Sequence, residues 1–74
     1  MRLIEVRVGM QVKTNKRLGK TTGFYIVQKN LNARKPNKKG KILGYVPGHG
    51  GDVWWVTHKD GTVGAYGFDE FQPV

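Results

Sequence analysis

The chain has 74 residues, a formal net charge of +8 and a sequence pI of about 10.1. A chain of this length forms one domain and buries only about 60% of the surface that it exposes when unfolded, which favours a binding surface over an elaborate active site. It contains neither cysteine nor serine, which excludes disulfides, thiolate metal sites and the usual nucleophiles, and no apolar run approaches the roughly 20 residues of a membrane-spanning helix.

The composition also bears on the compartment in which the protein acts. The first ten residues, MRLIEVRVGM, lack the apolar block of a signal peptide, and a chain without cysteine suits a reducing environment. We therefore expect a soluble cytoplasmic protein with no membrane segment.

The first predicted strand is LIEVRV, residues 3–8, in which apolar residues alternate with the charged Glu5 and Arg7. A period of two is typical of a strand that buries one face. Gly9 interrupts the pattern, and MQVK at residues 10–13 either continues the strand or re-aims it.

The next predicted strand is FYIVQK, residues 24–29, a continuous apolar run with β-branched and aromatic side chains. This pattern predicts a central strand of the sheet. NLNARKPNKKGK, residues 30–41, follows with asparagine, proline, glycine and cations but without apolar periodicity. That composition predicts a long, mobile basic loop on the surface.

The second half of the chain predicts three more strand-forming segments. KILGYV is a strand that ends at the glycine-rich connection PGHGGD. DVWWVTH and TVGAYGF flank Lys59-Asp60-Gly61, and Asp-Gly supplies the positive φ that a tight hairpin turn requires.

The two adjacent tryptophans lie on opposite faces of their strand, because successive side chains alternate. Trp54 shares a face with Val56, and Trp55 shares the other face with Thr57. We predict that Trp54 points inward and that Trp55 is exposed, where its indole can stack on a ligand.

Positive charge is concentrated in the first part of the chain. Between Glu5 and Asp52 there are eleven lysines and arginines and no acidic residue. From Asp52 onward, the chain has four acidic residues and one lysine, Lys59. A chain divided in this way is expected to fold into a molecule with one positive and one negative side.

The basic segments predict a nucleic-acid interface, because lysines and arginines neutralise phosphates and release counterions, and an exposed aromatic adds base stacking. The predicted contact residues are Lys13, Lys16, Arg17, Lys20, Arg34, Lys35, Lys38, Lys39, Lys41 and Trp55. The partner is DNA or RNA, single- or double-stranded, and the oligomeric state stays open. The alternative is an interaction module or inhibitor whose basic face docks an acidic protein partner.

The sequence does not predict an enzyme. Residues 19–21 read Gly-Lys-Thr like the end of an NTPase phosphate loop, but Thr14 stands where the motif requires its first glycine. His49 and His58 lack metal-ligand spacing. We therefore predict no catalytic residue, no metal and no cofactor.

Several segments, in order, resemble the small SH3-like β-barrels, a group that includes KOW and Tudor domains. These segments are Gly9-Met10-Gln11-Val12, the Gly-aromatic-Ile-Val run, VWWVTHKDGTVGAY and DEFQPV. The resemblance implies an all-β fold of about five strongly bent antiparallel strands, with residues 1–74 forming one barrel domain. Phe71 and Val74 would close it around Pro73. Ligands would bind to loops or exposed aromatics.

The same group includes photosynthetic subunits that dock acidic carriers and a plasmid-type dihydrofolate reductase. The reductase has Val-Gln-Ile-Tyr on its returning strand, where this chain has Val63-Gly64-Ala65-Tyr66. Because the glutamine and isoleucine are missing, that activity is not carried over. We expect an accessory or regulatory protein instead.

Overall fold

The computed structural model of the protein describes residues 6–19, 26–50 and 52–74. Its elements in chain order are β1 (Gln11–Thr14), α1 (Gln28–Asn32), β2 (Lys39–Tyr45), β3 (Val53–His58), β4 (Val63–Gly67) and β5 (Phe71–Pro73). The five strands form one antiparallel sheet in the order β4-β3-β2-β1-β5. The predicted all-β fold is confirmed for the described part of the chain, in which α1 is a single short helix.

The last strand pairs with the first and brings two distant parts of the chain together. Lys13 lies opposite Gln72, and the amide of Val74 donates a hydrogen bond to the Gln11 carbonyl at 3.1 Å. Phe71 is fully buried, as its predicted closing role requires, whereas Val74, which was predicted to close the fold with it, is exposed. The result is a globule of 30 × 26 × 22 Å, compatible with a small barrel-like fold.

A central apolar cluster covers one side of the sheet. Val12, Ile42, Val56, Tyr66 and Phe71 form it, and Val6, Met10, Leu18 and Trp54 pack against it. Each fully buried aliphatic or aromatic side chain contributes about 1.5–3 kcal/mol to stability. Trp54 therefore lies on the inner side with Val56, as predicted.

A second, smaller apolar cluster lies on the other face of β3 and β4. It consists of Val46, Val53 and Ala65, with Ile26 and Trp55 packed against it. The prediction that Trp55 is exposed is therefore wrong, since its side chain is half-buried against this cluster. The two indoles do lie in separate clusters, as the alternation requires.

The hairpin between β3 and β4 forms where the Asp-Gly pair predicted it. Gly61 has a φ of +88°, a conformation that glycine adopts without steric cost. The carboxylate of Asp60 accepts hydrogen bonds from the amide and the hydroxyl of Thr62, at 3.0 and 2.7 Å. The amide of His58 donates to the Thr62 carbonyl at 2.8 Å and closes the turn.

The prediction of a central strand over residues 24–29 is wrong where the structure describes it. Residues 26 and 27 lie outside any strand, and residues 28 and 29 begin α1, while 24 and 25 fall outside the described ranges. Tertiary contacts override the local β-propensity here, because Asn30 of the helix donates to the Val63 carbonyl of β4 at 2.8 Å. The predicted loop over 30–41 is also wrong at both ends, which belong to α1 and β2.

The first predicted strand is not observed either in its described part. Val6 and Arg7 lie outside any strand, and residues 8 and 9 form a turn in which Gly9 has a φ of +88°. The Met10 amide donates to the Arg7 carbonyl at 3.1 Å, which reverses the chain before β1 begins. Residues 3–5 of that prediction lie outside the described residues.

Candidate nucleic-acid interface

Three lysines of two neighbouring strands share one exposed sheet face. In the register of β1 and β2, Lys13 lies directly opposite Lys39, and Lys41 lies opposite Gln11. Val12, which precedes Lys13, and Ile42, which follows Lys41, are buried, so the three lysines point outward by the alternation of side chains along a strand. Two cations opposite each other across a sheet repel one another.

A fourth lysine joins this group from the turn after β3. Gly40 of β2 is paired with His58 of β3 in the antiparallel ladder, so the residues one step beyond this pair, Lys39 and Lys59, are neighbours. Both lysines line the same two depressions of the protein surface. Sequence reasoning missed Lys59 because it lies in the acidic half of the chain. Only the pairing of β2 with β3 could have placed it.

Three shallow depressions, of roughly 390, 320 and 470 Å³, meet at Lys39. We call the exposed lysines around them the lysine face, which comprises Lys13, Lys16, Lys38, Lys39, Lys41 and Lys59. Among the described residues that line the three depressions, the acidic one is Asp60. The face therefore carries a large excess of positive charge.

Lys35 lies at the border of this face but has a partner. Its ammonium forms an exposed ion pair with Asp60. Hydrogen bonds from Lys35 and then Thr62 to this carboxylate hold the pKa of Asp60 well below its ordinary value. The predicted phosphate contact at Lys35 would have to compete with this pair.

Arg34 is not on the surface, which corrects its prediction as a phosphate contact. Its side chain is 5% exposed and forms an ion pair with the equally buried Glu70. The guanidinium also donates to the Gly19 carbonyl at 3.1 Å and lies 5.6 Å from the centre of the Tyr66 ring. The acid that captures Arg34 comes from the C-terminal part of the chain, so the local sequence gives no sign of it.

Glu70 is itself held by backbone donors. Its carboxylate accepts hydrogen bonds from the amides of Gly19 and Gly67, the latter at 2.7 Å. Its carbonyl accepts from the Asn15 amide at 2.9 Å. A buried carboxylate with an arginine and two amide donors is fully engaged, so this ion pair is a structural element.

Further polar contacts attach the connection between α1 and β2 to the sheet. The buried Thr14 hydroxyl donates to the Lys35 carbonyl at 2.6 Å and accepts from the Lys38 amide at 2.8 Å. The Tyr66 hydroxyl accepts from the Lys35 amide at 2.6 Å and contacts Nε2 of His58 at 2.7 Å. Burial raises the pKa of Tyr66.

The remaining predicted contact residues lie elsewhere. Arg17 is exposed but lines a separate depression with Asp52, Phe68 and Asp69, so it is not part of the lysine face. Lys20 lies outside the described residues. Trp55 is on the sheet face of Thr57, the residue opposite Lys41, but it is half-buried.

The most exposed aromatic side chains of the described ranges are not part of the lysine face. Tyr45 is 59% exposed at the far end of β2, where its ring meets Trp54 edge-on at 6.1 Å. Phe68 is 39% exposed beside Asp52 and Asp69.

The described ranges contain no group of three or more histidine, aspartate or glutamate side chains that could hold a metal ion. None of the helical structure described is long and apolar enough to cross a membrane. Comparison with known proteins found no match to a family model, a curated protein or a solved structure. The lysine face is therefore interpreted from its own geometry and charge.

Proposed function

We propose that this protein is a non-enzymatic nucleic-acid-binding protein with an accessory or regulatory role, which contacts phosphates through the lysine face. The observation that carries the proposal is the register of β1, β2 and β3, which gathers Lys13, Lys39, Lys41 and Lys59 on one exposed surface. Each lysine that neutralises a phosphate releases counterions, and this release drives binding without base-specific contacts.

The repulsion within the lysine face supports this proposal. Lys13 and Lys39 lie directly opposite each other, which costs about 0.2–1 kcal/mol relative to a neutral pair. A polyanion bound across the two strands would attract both lysines, and this attraction would offset the repulsion between them. The arrangement is therefore more favourable with an anionic partner than without one.

The fold is consistent with the proposal that the chain is an SH3-like barrel of the KOW or Tudor type. It has five antiparallel strands in one sheet, and β5 pairs with β1, so that the last strand lies beside the first. In such barrels the function belongs to the exposed surface and not to the fold, so this analogy supports a binding module without fixing its ligand.

The test is a salt titration with two matched double variants. The partner is a duplex of about 12 base pairs, which at roughly 3.4 Å per base pair is longer than the 30 Å extent of the protein. Lys13→Gln/Lys39→Gln should weaken binding and reduce the slope of log affinity against log salt by about 1.8, or about 0.9 per lost phosphate contact. Arg17→Gln/Lys29→Gln removes the same charge outside the lysine face and should leave the slope nearly unchanged.

Two results would contradict the proposal. Equal slopes for both variants would show that net charge, and not the lysine face, governs binding. No binding at about 50 mM salt would remove nucleic acid as the partner, and an acidic protein would then be the ligand to seek, since its attraction to the same face has the same electrostatic origin.

A further inference from the structure

The lysine face is a compact patch on regular strands. Neighbouring strands lie about 4.7–4.9 Å apart, so Lys13, Lys39 and Lys59 form a row that spans about 10 Å across β1, β2 and the end of β3. Lys41 lies two residues from Lys39, roughly 7 Å along the strand. A ligand must therefore present several negative charges within a small area.

The backbone that carries the lysines of this patch is held in place by the strand pairing and the buried contacts beneath it. Lys38 and Lys39 follow the connection that Thr14 anchors, and the carbonyl of Lys39 accepts a hydrogen bond from Nδ1 of His58 at 3.0 Å. Thus the backbone that carries these charges is already ordered, so little conformational entropy is lost there on binding.

Among the residues that the structure describes, the exposed aromatic rings lie away from this patch. Tyr45 is six residues beyond Lys39 on β2, roughly 20 Å along the strand. Phe68 lies beside Asp52 and Asp69, whose charge repels phosphates. Trp55 packs against the second apolar cluster and presents only part of its indole.

Single and double strands make different demands on such a surface. Sequence-independent binding of single strands relies on aromatic side chains, each of which contributes about 1–3 kcal/mol by stacking on an unpaired base. A duplex hides the faces of its bases but presents one phosphate for roughly every 1.7 Å of its axis. The lysine face therefore suits a ligand that presents closely spaced phosphates and does not require its bases to stack on the protein.

We infer that the lysine face binds the phosphodiester backbone of double-stranded nucleic acid in preference to single strands. This inference rests on the proposed function and adds the class of partner. The lysines contact phosphates across the row formed by Lys13, Lys39 and Lys59, and the bases stay stacked within the duplex. Tyr45 and Phe68 make no contact with the ligand.

The experiment compares a mixed-sequence duplex of about 12 base pairs with each of its separated strands, as DNA and as RNA, at one salt concentration and equal phosphate. The duplex should bind at least about tenfold more tightly, with a salt slope near 0.9 per contact against 0.7 for the strands. The tryptophan fluorescence of the protein should stay unquenched, because no base stacks on an indole. Tyr45→Leu and Phe68→Leu should leave duplex affinity unchanged.

The outcomes separate this inference from the function on which it rests. Strands that bind as tightly as the duplex, with quenched tryptophan fluorescence, would overturn the duplex preference and leave nucleic-acid binding intact. A loss of that strand binding in Trp55→Leu would identify the stacking residue. If neither duplex nor strands bind, the proposed function fails, and the inference fails with it.

Discussion

The basic stretch at residues 34–41 contains two regions that behave in opposite ways. Arg34 is buried and paired with Glu70, whereas Lys38, Lys39 and Lys41 are exposed on the lysine face. In the sequence all four are cations in one run without acids, and nothing local distinguishes them. The difference arises from a carboxylate 36 positions away, so density of charge along a chain does not reveal which charges a partner can reach.

The buried region determines where the exposed region lies. Arg34 and the backbone of Lys35 are fixed by Glu70, Tyr66 and Thr14, and the chain then enters β2 at Lys39. The lysine face therefore depends on an interior that is partly polar. Substitutions in the two regions should separate stability from binding.

The largest expected effect comes from breaking the buried ion pair. Arg34→Met keeps much of the side-chain volume but leaves the Glu70 carboxylate buried without its cation, which should cost about 3–5 kcal/mol of unfolding free energy. For a chain of this size that is a large share of the total stability. Urea denaturation measures the change.

The matched control is Lys38→Met, the same replacement of an exposed cation in the same stretch, and its effect on stability should stay within about 0.5 kcal/mol. If Arg34 were a phosphate contact instead, Arg34→Met would leave stability intact and reduce the salt dependence of binding. That result would contradict the distinction between the two regions.

The next effect concerns the packing beneath the lysine face. Gly40 lies between Lys39 and Lys41, and a Cβ there would meet Cγ1 of Val56 at 2.5 Å and the backbone carbonyl of Thr57 at 2.7 Å. Gly40→Ala should therefore cost about 1–3 kcal/mol of unfolding free energy, because β2 and β3 must move apart. Thermal denaturation monitored by circular dichroism measures this loss of stability.

The same strand supplies a control, since a Cβ at Gly44 would meet nothing within 4 Å. Gly44→Ala should be neutral, or should stabilise the protein by up to about 1 kcal/mol by restricting the unfolded chain. If both alanine variants lost the same unfolding free energy, the loss at Gly40 would have a cause other than the contact of its Cβ with Val56 and Thr57.

The sequence predicted the part of the fold that depends on local patterns. β3, β4 and their turn follow from alternating side chains and the Asp-Gly pair, and β2 follows from KILGYV. The wrongly predicted strands fall at residues 6–8 and 26–29, where apolar content suggested them, and the loop predicted over 30–41 is wrong at both ends. A local turn at Gly9 ends the first of these segments. Contacts with distant residues decided the second, as the hydrogen bond from Asn30 to Val63 illustrates.

The candidate site was predictable to a similar degree. Lys13, Lys39 and Lys41 follow from the basic composition, but their common face depends on the pairing of β1 with β2. The inclusion of Lys59 and the burial of Arg34 depend on contacts between residues far apart in sequence. Charge patterns therefore indicated the kind of surface, and the register selected its members.

A third prediction tests the buried contacts of Tyr66. Tyr66→Phe keeps the ring but removes the acceptor of the Lys35 amide and the partner of His58, which should cost about 1–3 kcal/mol of unfolding free energy. Because burial raises the pKa of Tyr66 in the folded protein, the folded state keeps its proton where the unfolded chain loses it. The resulting stability is present below pH of about 10 and is lost as the pH rises through the folded pKa.

Denaturation between neutral and alkaline pH measures both effects, and Tyr66→Phe should flatten the alkaline loss relative to the wild type. Tyr45→Phe is the matched control, since that ring is largely exposed and its replacement should change the unfolding free energy at neutral pH by no more than about 0.5 kcal/mol. An unchanged alkaline loss in Tyr66→Phe would assign that loss to other groups. An unchanged unfolding free energy at neutral pH would contradict the stabilising role of the two hydroxyl contacts.

The smallest expected effect is a gain in stability on the lysine face itself. Lys39→Gln removes the repulsion with Lys13 and should raise the unfolding free energy by about 0.2–1 kcal/mol at low salt. The gain should fade near 1 M salt, where the screening length falls to about 3 Å. Lys29→Gln removes an exposed charge from α1 and reports the effect of net charge alone. It should raise the unfolding free energy by less than Lys39→Gln does. A loss of stability in Lys39→Gln at low salt would mean that the two lysines do not repel, and the cost that an anionic partner relieves would be absent.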